Sequence, residues 1–208
     1  MAQALDLRDF GATLDGSGVG DSAAFAAAVD QINNNPNMTN NIRFNGVLTL
    51  TSPPPPLSRI HLWGDDIYGS LVLKKYPGGV LFYFNNWSGG GLHNFSVPQD
   101  TGTPGSYTIL VRANSVHSPS GIQLENLYLG SGIGPGPWRT IEIDGGAHPL
   151  GIRQARLHNV SCFGSSGWGN VVFIKTVDTY VSCLRVYPAG GTYDNVFWGD
   201  GNSGQVII

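Results

Sequence analysis

The sequence predicts an all-β fold made of repeated coils and preceded by one α-helix, and three observations support this. Charged residues make up only 12% of the 208 residues and glycine occurs 30 times, a composition that suits strands joined by tight turns. Helical periodicity is clear in one segment near the N-terminus. An asparagine-centred pattern then recurs at a nearly constant spacing, which indicates a solenoid. The hydrophobic content of 41% is sufficient for a single domain with its own core.

The helical segment follows a glycine-rich loop and begins near Asp21. Its apolar residues recur at helical spacing and share one face: Phe25, Ala28, Val29 and Ile32. We predict that Asp21 is the N-cap, because its carboxylate can accept hydrogen bonds from the free amides of the first turn. The Asn-Asn-Asn-Pro segment at 33–36 ends the helix.

Several short motifs occur in a fixed order in this part of the chain. They are Asp9-Phe10-Gly11-Ala12, Asp15-Gly16, Asp21-Ser22-Ala23-Ala24-Phe25, the prolines at 53–56, and a strand that ends in Gly64-Asp65. In this order they resemble the N-terminal cap and first coil of the pectate-lyase-like β-helix superfamily, which includes bacteriophage tailspike proteins. The match extends to about Lys75 and is specific for a fold rather than for a function.

The resemblance implies a right-handed single-stranded parallel β-helix with an N-terminal capping α-helix. Residues 1–41 would form the cap, a strand plus the amphipathic helix, and residues 42–208 the parallel β-helix. A helix laid across the first coil hides its unpaired backbone groups and apolar side chains from solvent and from other chains.

The repeat has the form Leu-x-Asn-apolar-x-apolar and is centred on Asn94, Asn126 and Asn159, with a weaker echo at Asn195. The first three asparagines are 32 and 33 residues apart. We predict that they stack at a corner of successive coils and hydrogen-bond along the stack, as asparagine ladders do, in preference to binding a ligand. Other runs predict further strands, which we assign to a second face of the coil: 80–84, 107–112, 140–144, 171–175 and 180–186.

Glu142 and Asp144 are the candidate catalytic residues. Alternation along the strand 140–144 turns Ile141 and Ile143 inward and both carboxylates outward, about 7 Å apart. Hydrolysis of a glycoside uses two carboxyl groups about 5 to 9.5 Å apart. The alternative is that these acidic residues only keep the surface soluble. Whether the chain is an enzyme stays open; if it is one, the resemblance implies a glycan hydrolase or a polysaccharide lyase.

Four aromatic residues in or beside glycine-rich loops are candidates for stacking on sugar rings, with packing against the coil as the alternative. They are Trp138, Trp168, Tyr180 and Trp198. His93 and His158 occupy matching repeat positions, where we expect solvent-facing side chains rather than a metal pair. Cys162 and Cys183 are 21 residues apart, close to one coil, which favours a buried thiol pair over a disulfide. We predict no bound metal and no cofactor.

Charge and hydropathy restrict the partners. The formal net charge of −3, without a basic cluster, excludes a nucleic-acid or anionic-membrane footprint, and no apolar run is long enough to span a membrane.

The N-terminus lacks the features of a signal peptide, so we expect synthesis in a host cytoplasm. The apolar segment 204–208 would leave an open coil uncovered. A homotrimer, as the tailspike resemblance implies, or another virion protein would cover it.

Three functions compete. The first is a bacteriophage virion protein of the tailspike or tail-fibre type, which binds a bacterial surface polysaccharide and for which cleavage of that polysaccharide stays open. The second is a non-enzymatic structural or decoration protein of the virion. The third is a free polysaccharide lyase or hydrolase, which the small size of the chain disfavours.

Overall fold

The computed structural model describes residues 4–85, 89–98, 106–130, 139–163 and 170–187, and the backbone of 196–198. These residues are mostly β, with one α-helix, α1 (Asp21–Asn34), that follows a 3₁₀ turn at Leu7–Phe10. The strands in chain order are β1 (Leu5–Asp6), β2 (Asn41–Phe44), β3 (Val47–Leu50), β4 (His61–Gly64), β5 (Leu71–Lys74), β6 (Val80–Phe84), β7 (Gly90–Val97), β8 (Tyr107–Arg112), β9 (Ile122–Leu129), β10 (Arg139–Asp144), β11 (Ile152–Arg153), β12 (Arg156–Phe163), β13 (Val171–Ile174), β14 (Thr176–Val177), β15 (Tyr180–Tyr187) and β16 (Val196–Trp198).

The strands form parallel sheets. Sheet A has the order β1-β2-β4-β7-β9-β12-β15, with β3 and β5 paired beside it, and sheet B has the order β16-β13-β10-β8-β6. From β6 to β10 the chain alternates between sheet B and sheet A, and after β10 and β13 it also passes through β11 and β14, which pair in a third, two-stranded parallel sheet. Successive turns of the chain therefore stack on one another. The prediction of a mostly β chain with parallel strand pairing is confirmed. The run at 180–186, which the sequence assigned to the second face, lies instead in sheet A as β15.

The registers stack like residues on like residues inside the molecule. In sheet A, Leu62, Leu92, Leu124 and Leu157 are paired strand by strand, and all four are buried. In sheet B, Ile141 pairs with Ile109 on one side and Val171 on the other, again in the core. Burying each such side chain contributes about 1.5–3 kcal/mol, so these columns stabilise the stacking of the strands.

Helix α1 packs its apolar face onto this core. Phe25, Ala28, Val29 and Ile32 are all buried, as the helical spacing predicted. They belong to the same continuous core cluster as the inward residues of the sheets.

Asp21 does not have the N-cap role predicted for it. The helix starts at Asp21 itself, after Gly20 in a left-handed conformation with φ 75°, and no side chain caps it. The buried Asp21 carboxylate turns away from the helix and accepts hydrogen bonds from the backbone amides of Thr13 (2.9 Å), Leu14 (3.2 Å) and Thr49 (2.8 Å). It therefore ties the N-terminal loop to β3.

The repeated asparagines form a hydrogen-bonded ladder along sheet A. Each lies in the middle of its strand, at a position of positive φ that we call the corner. Asn126 Nδ2 donates to Asn94 Oδ1, and Asn159 Nδ2 donates to Asn126 Oδ1, each at 2.9 Å. All three have a positive φ, between 52° and 60°, which asparagine tolerates better than most residues. Cys183 takes the next corner position with φ 53°, and Arg185 Nη1 donates to Asn159 Oδ1 instead. The echo at Asn195 lies outside the described residues.

The two cysteines do not form a buried pair or a disulfide, which corrects the prediction made from their spacing. Cys162 is buried in the core opposite Val186, whereas Cys183 is exposed at the corner, and both thiols are free. Because a corner residue and an inward residue point in different directions, stacking of successive coils does not bring them together. Burial raises the pKa of the Cys162 thiol.

Candidate functional site

The outward residues of sheet A before the asparagine corner form two parallel rows, which together we call the outer strip. The first row is His61, Gly91, Gln123, Arg156 and Tyr180. The second row is Trp63, His93, Glu125, His158 and Ser182. Since neighbouring strands lie about 4.8 Å apart, the five strands give the strip a length of about 19 Å. Apart from Gly91, its residues are polar or aromatic, in contrast to the leucine column on the opposite face of the same strands.

Three side chains of the strip form a hydrogen-bonded chain across neighbouring coils. Glu125 Oε2 lies 3.2 Å from His93 Nδ1, and His93 Nε2 lies 2.9 Å from His61 Nδ1. Burial, with a smaller effect from the neighbouring His61, lowers the pKa of His93 to about 4. Burial also lowers the pKa of His61, although Glu125 acts in the opposite direction. Both imidazoles are therefore neutral at neutral pH.

Packing fixes the position of His93 in this chain. The Trp63 indole stacks on the His93 ring with centroids 3.8 Å apart and planes 9° apart, and Trp63 Nε1 is anchored by Asn41 Oδ1 at 3.0 Å. Gly91 leaves open the space between the two histidines. A Cβ atom there would lie 2.8 Å from His93 Nε2, closer than real contacts allow.

At the opposite end of the strip lies the exposed residue Tyr180. It is 42% exposed, and the Arg156 guanidinium lies 5.7 Å from its ring centroid. His158 Nδ1 and Ser182 Oγ are hydrogen-bonded at 2.8 Å in the adjacent row. Of the other aromatic candidates, Trp138 and Trp168 lie outside the described residues, and for Trp198 only the backbone in β16 is described.

Beyond the corner, sheet A carries a stack of aromatic rings that the sequence analysis missed. The Phe163 ring lies between those of Tyr128 and Tyr187, with centroid separations of 4.5 Å and 4.4 Å. Phe163 and Tyr187 each follow a corner residue by four positions. This common spacing becomes visible only when Cys183 is aligned with the repeated asparagines. The alignment is not apparent from the sequence because a cysteine stands where the other repeats have asparagine.

Glu142 and Asp144 lie in sheet B rather than near the outer strip. Glu142 faces away from the core but is only 2% exposed, which corrects the expectation of an open carboxylate pair. Arg112 Nη2 contacts it at 2.9 Å and Arg139 Nη1 approaches its other oxygen, while Asp144 lies 3.5 Å from Arg112 Nε. This geometry is typical of a covered ion-pair cluster. Catalysis at these two residues stays a prediction.

His93 and His158 do not face each other, because Glu125 occupies the register position between them. His158 is exposed, as expected, but His93 is buried, which corrects the expectation of a solvent-facing side chain. Within the described ranges, no group of three or more histidine, cysteine or acidic side chains is arranged to hold a metal ion. The same part of the chain contains no helix long and apolar enough to cross a membrane.

No protein-family model matches the chain, and no curated protein matches it. Among solved structures it is similar to a protein of Parabacteroides merdae ATCC 43184, provisionally assigned as a glycosyl hydrolase. The identity is 11% and the TM-score 0.53, over 98% of this chain and 99% of that one. This similarity shows a shared fold along nearly the whole of both chains.

Two further structures have lower scores. The ORF18 protein of Geobacillus virus E2 is 13% identical with a TM-score of 0.41, and 98% of this chain spans 62% of that protein. The A-module of the mannuronan C-5 epimerase AlgE6 of Azotobacter vinelandii is 9% identical with a TM-score of 0.30, over 98% of this chain and 84% of that one.

Proposed function

We propose that the chain is a right-handed parallel β-helix of the pectate-lyase-like superfamily that binds a bacterial surface polysaccharide along its outer strip. We further propose that it belongs to a bacteriophage virion protein of the tailspike type. The ordered N-terminal motifs, the stacked parallel strands and the fold shared with the Parabacteroides protein support the proposal.

The observation that carries the binding proposal is the composition of the outer strip. A sugar ring presents an apolar face and a rim of hydroxyl groups, so it is bound by an open aromatic ring flanked by hydrogen-bonding side chains. The exposed residue Tyr180, with Arg156 and His158 beside it, has this character. Because the strip extends across five strands, it suits an extended polysaccharide chain rather than a compact ligand.

The test is affinity electrophoresis of the purified chain through gels that contain capsular polysaccharide or lipopolysaccharide. We expect retardation by at least one such glycan, and weakening of the affinity by about tenfold in Tyr180→Ala, which corresponds to loss of one stacking contact. The matched control is Tyr68→Ala, because Tyr68 is 84% exposed in the turn after β4, away from the strip. Equal binding by Tyr180→Ala and wild type would contradict the proposed site. Failure of every glycan to retard the chain would favour a structural role in the virion.

We also propose that the protein is a homotrimer, as the tailspike resemblance implies. Light scattering coupled to size-exclusion chromatography should then give three times the chain mass of 22.1 kDa. A stable species of one chain mass would overturn this part of the proposal and leave the glycan-binding test unaffected.

A further inference from the structure

The hydrogen-bonded chain from Glu125 to His61 fixes the tautomers of both imidazoles. A carboxylate only accepts hydrogen bonds, so His93 Nδ1 is the donor to Glu125. Because His93 is neutral, its Nε2 carries a lone pair and accepts the proton of His61 Nδ1. The remaining nitrogen, His61 Nε2, therefore also carries a lone pair.

This last nitrogen is open to the outer strip. His61 is partly exposed, and its Nε2 has no hydrogen-bond partner among the described residues and is not one of their buried unpartnered polar atoms. The charged groups around it are few. Glu125 faces it through His93, and Arg43, on the neighbouring strand β2, is engaged by Asp65 at 3.0 Å. His61 Nε2 is thus an unprotonated base on the surface that we propose binds polysaccharide. Hydrogen bonding through His93 to Glu125 fixes the orientation of its ring.

The same surroundings restrict the reaction that such a base can assist. Hydrolysis of a glycosidic bond uses two carboxyl groups, but Glu125 is the one carboxylate of the outer strip and is bound to His93. Elimination from a uronic acid requires a cation to neutralise the sugar carboxylate. Arg43 is held in its ion pair, and Arg156 lies over the Tyr180 ring three strands from His61. Transfer of an acyl group to water requires neither a second carboxylate nor a cation, and a single well-oriented base such as His61 assists it.

We propose that His61 is the general base for hydrolysis of O-acyl esters on the polysaccharide bound along the outer strip, with His93 and Glu125 as positioning residues. This inference rests on the proposed glycan binding. In the reaction, His61 Nε2 takes a proton from water while the water oxygen attacks the acyl carbonyl carbon. The bond between that carbon and the sugar oxygen then breaks. The proton passes from His61 to the leaving oxygen, which yields a carboxylic acid and a free sugar hydroxyl. Glu125, through His93, stabilises the transient imidazolium.

The experiment measures acetate release by the purified full chain from 4-nitrophenyl acetate and from chemically acetylated xylan. We expect His61→Ala to lower the rate about a hundredfold or more, as loss of a general base does. The matched control is His148→Gln, since His148 lies in the turn after β10 and accepts a hydrogen bond from the Leu150 amide there. The control should release acetate at the wild-type rate. Absence of release by the wild type, or equal rates in wild type and His61→Ala, would overturn the proposal.

A second measurement reports on the positioning residues independently of activity. Nitrogen-15 NMR of the histidine rings should show His61 with its proton on Nδ1, whereas free histidine favours Nε2. Glu125→Leu, which removes the acceptor for His93 Nδ1, should shift this tautomer equilibrium and lower the rate while the fold, judged by circular dichroism, is unchanged. An unchanged His61 spectrum in Glu125→Leu would contradict the positioning role.

Two outcomes separate this inference from the proposed function. If the wild type binds glycan in affinity gels but releases no acetate, the ester assignment fails and the binding proposal stands. If incubation with alginate or polygalacturonate yields an ultraviolet-absorbing unsaturated product, the base acts in elimination, which also overturns the ester assignment.

Discussion

Replacement of Asp21 offers the most direct test of how the N-terminal loop is joined to β3. Its buried carboxylate accepts hydrogen bonds from the backbone amides of Thr13, Leu14 and Thr49, which lie in the N-terminal loop and in β3. A hydrogen bond to a charged acceptor contributes about 1.5–3 kcal/mol, and removal of the acceptor leaves buried amides unpaired. Since such contributions are not additive, we expect Asp21→Ala to lower the free energy of unfolding by about 4 kcal/mol, near the range for a broken buried network.

For a chain of this length each kcal/mol corresponds to about 2–4 °C, so thermal unfolding followed by circular dichroism should show a Tm lower by roughly 8–16 °C. Asp21→Asn keeps the shape of the side chain, but its NH₂ group must face at least one of the three backbone amides. We therefore expect about half the loss of stability of Asp21→Ala. Asp30, exposed on the same helix, provides the control: Asp30→Asn should change stability by less than about 0.5 kcal/mol. A Tm for Asp21→Ala within about 2 °C of wild type would refute the reasoning.

Three further outcomes follow from the corner, the thiols and the buried histidine. Cys183→Asn should raise the free energy of unfolding by about 0.5–1.5 kcal/mol, measured in denaturant, because asparagine tolerates the positive φ and can extend the ladder to Asn159. One thiol, Cys183, should react with a thiol reagent in the native protein, and Cys162 only after unfolding. The pKa of His93 is lowered from 6.5 to about 4 in the folded protein. As the pH falls, His93 is therefore protonated in the unfolded chain before it is protonated in the folded one. Stability should therefore fall by up to about 3 kcal/mol between pH 6.5 and 4, and His93→Gln should remove this part of the pH dependence.

The parts of the fold that the sequence predicts are those carried by short-range periodicity. The inward alternation of each strand, the buried face of α1 and the asparagine spacing all lie within one element or repeat at a constant offset. The role of Asp21 could not be predicted in the same way. Three of its hydrogen bonds go to amides 7, 8 and 28 residues away, and the local pattern of a helix N-cap is compatible with either orientation.

The outer strip was hidden from sequence analysis for a related reason. His61 lies in a strand whose corner position is Gly64 rather than asparagine, so the motif that aligns the later repeats does not include it. The contact with His93 depends on Gly91, whose missing side chain becomes meaningful only when the registers of β4 and β7 are known. Glu142 shows the converse error. Strand alternation correctly predicts that the Glu142 side chain points away from the core. It does not predict that Arg112 and Arg139 cover the carboxylate, because it does not specify how those side chains pack.

The cost of keeping His93 buried is the physical reason to assign it a function. Its ring lies on the outward face, stacked on Trp63, where a phenylalanine would retain the ring contact without the unfavourable burial of an ionisable group. Replacing a buried polar network with apolar residues of similar volume is often neutral or stabilising. We therefore expect His93→Phe to be as stable as wild type at pH 7 and more stable at pH 5, as measured in denaturant. The same variant should lose the Nδ1 tautomer of His61 and most of the acetate release. If His93→Phe were instead strongly destabilised at neutral pH, the chain of imidazoles would be required by the fold, and its value as an indicator of function would disappear.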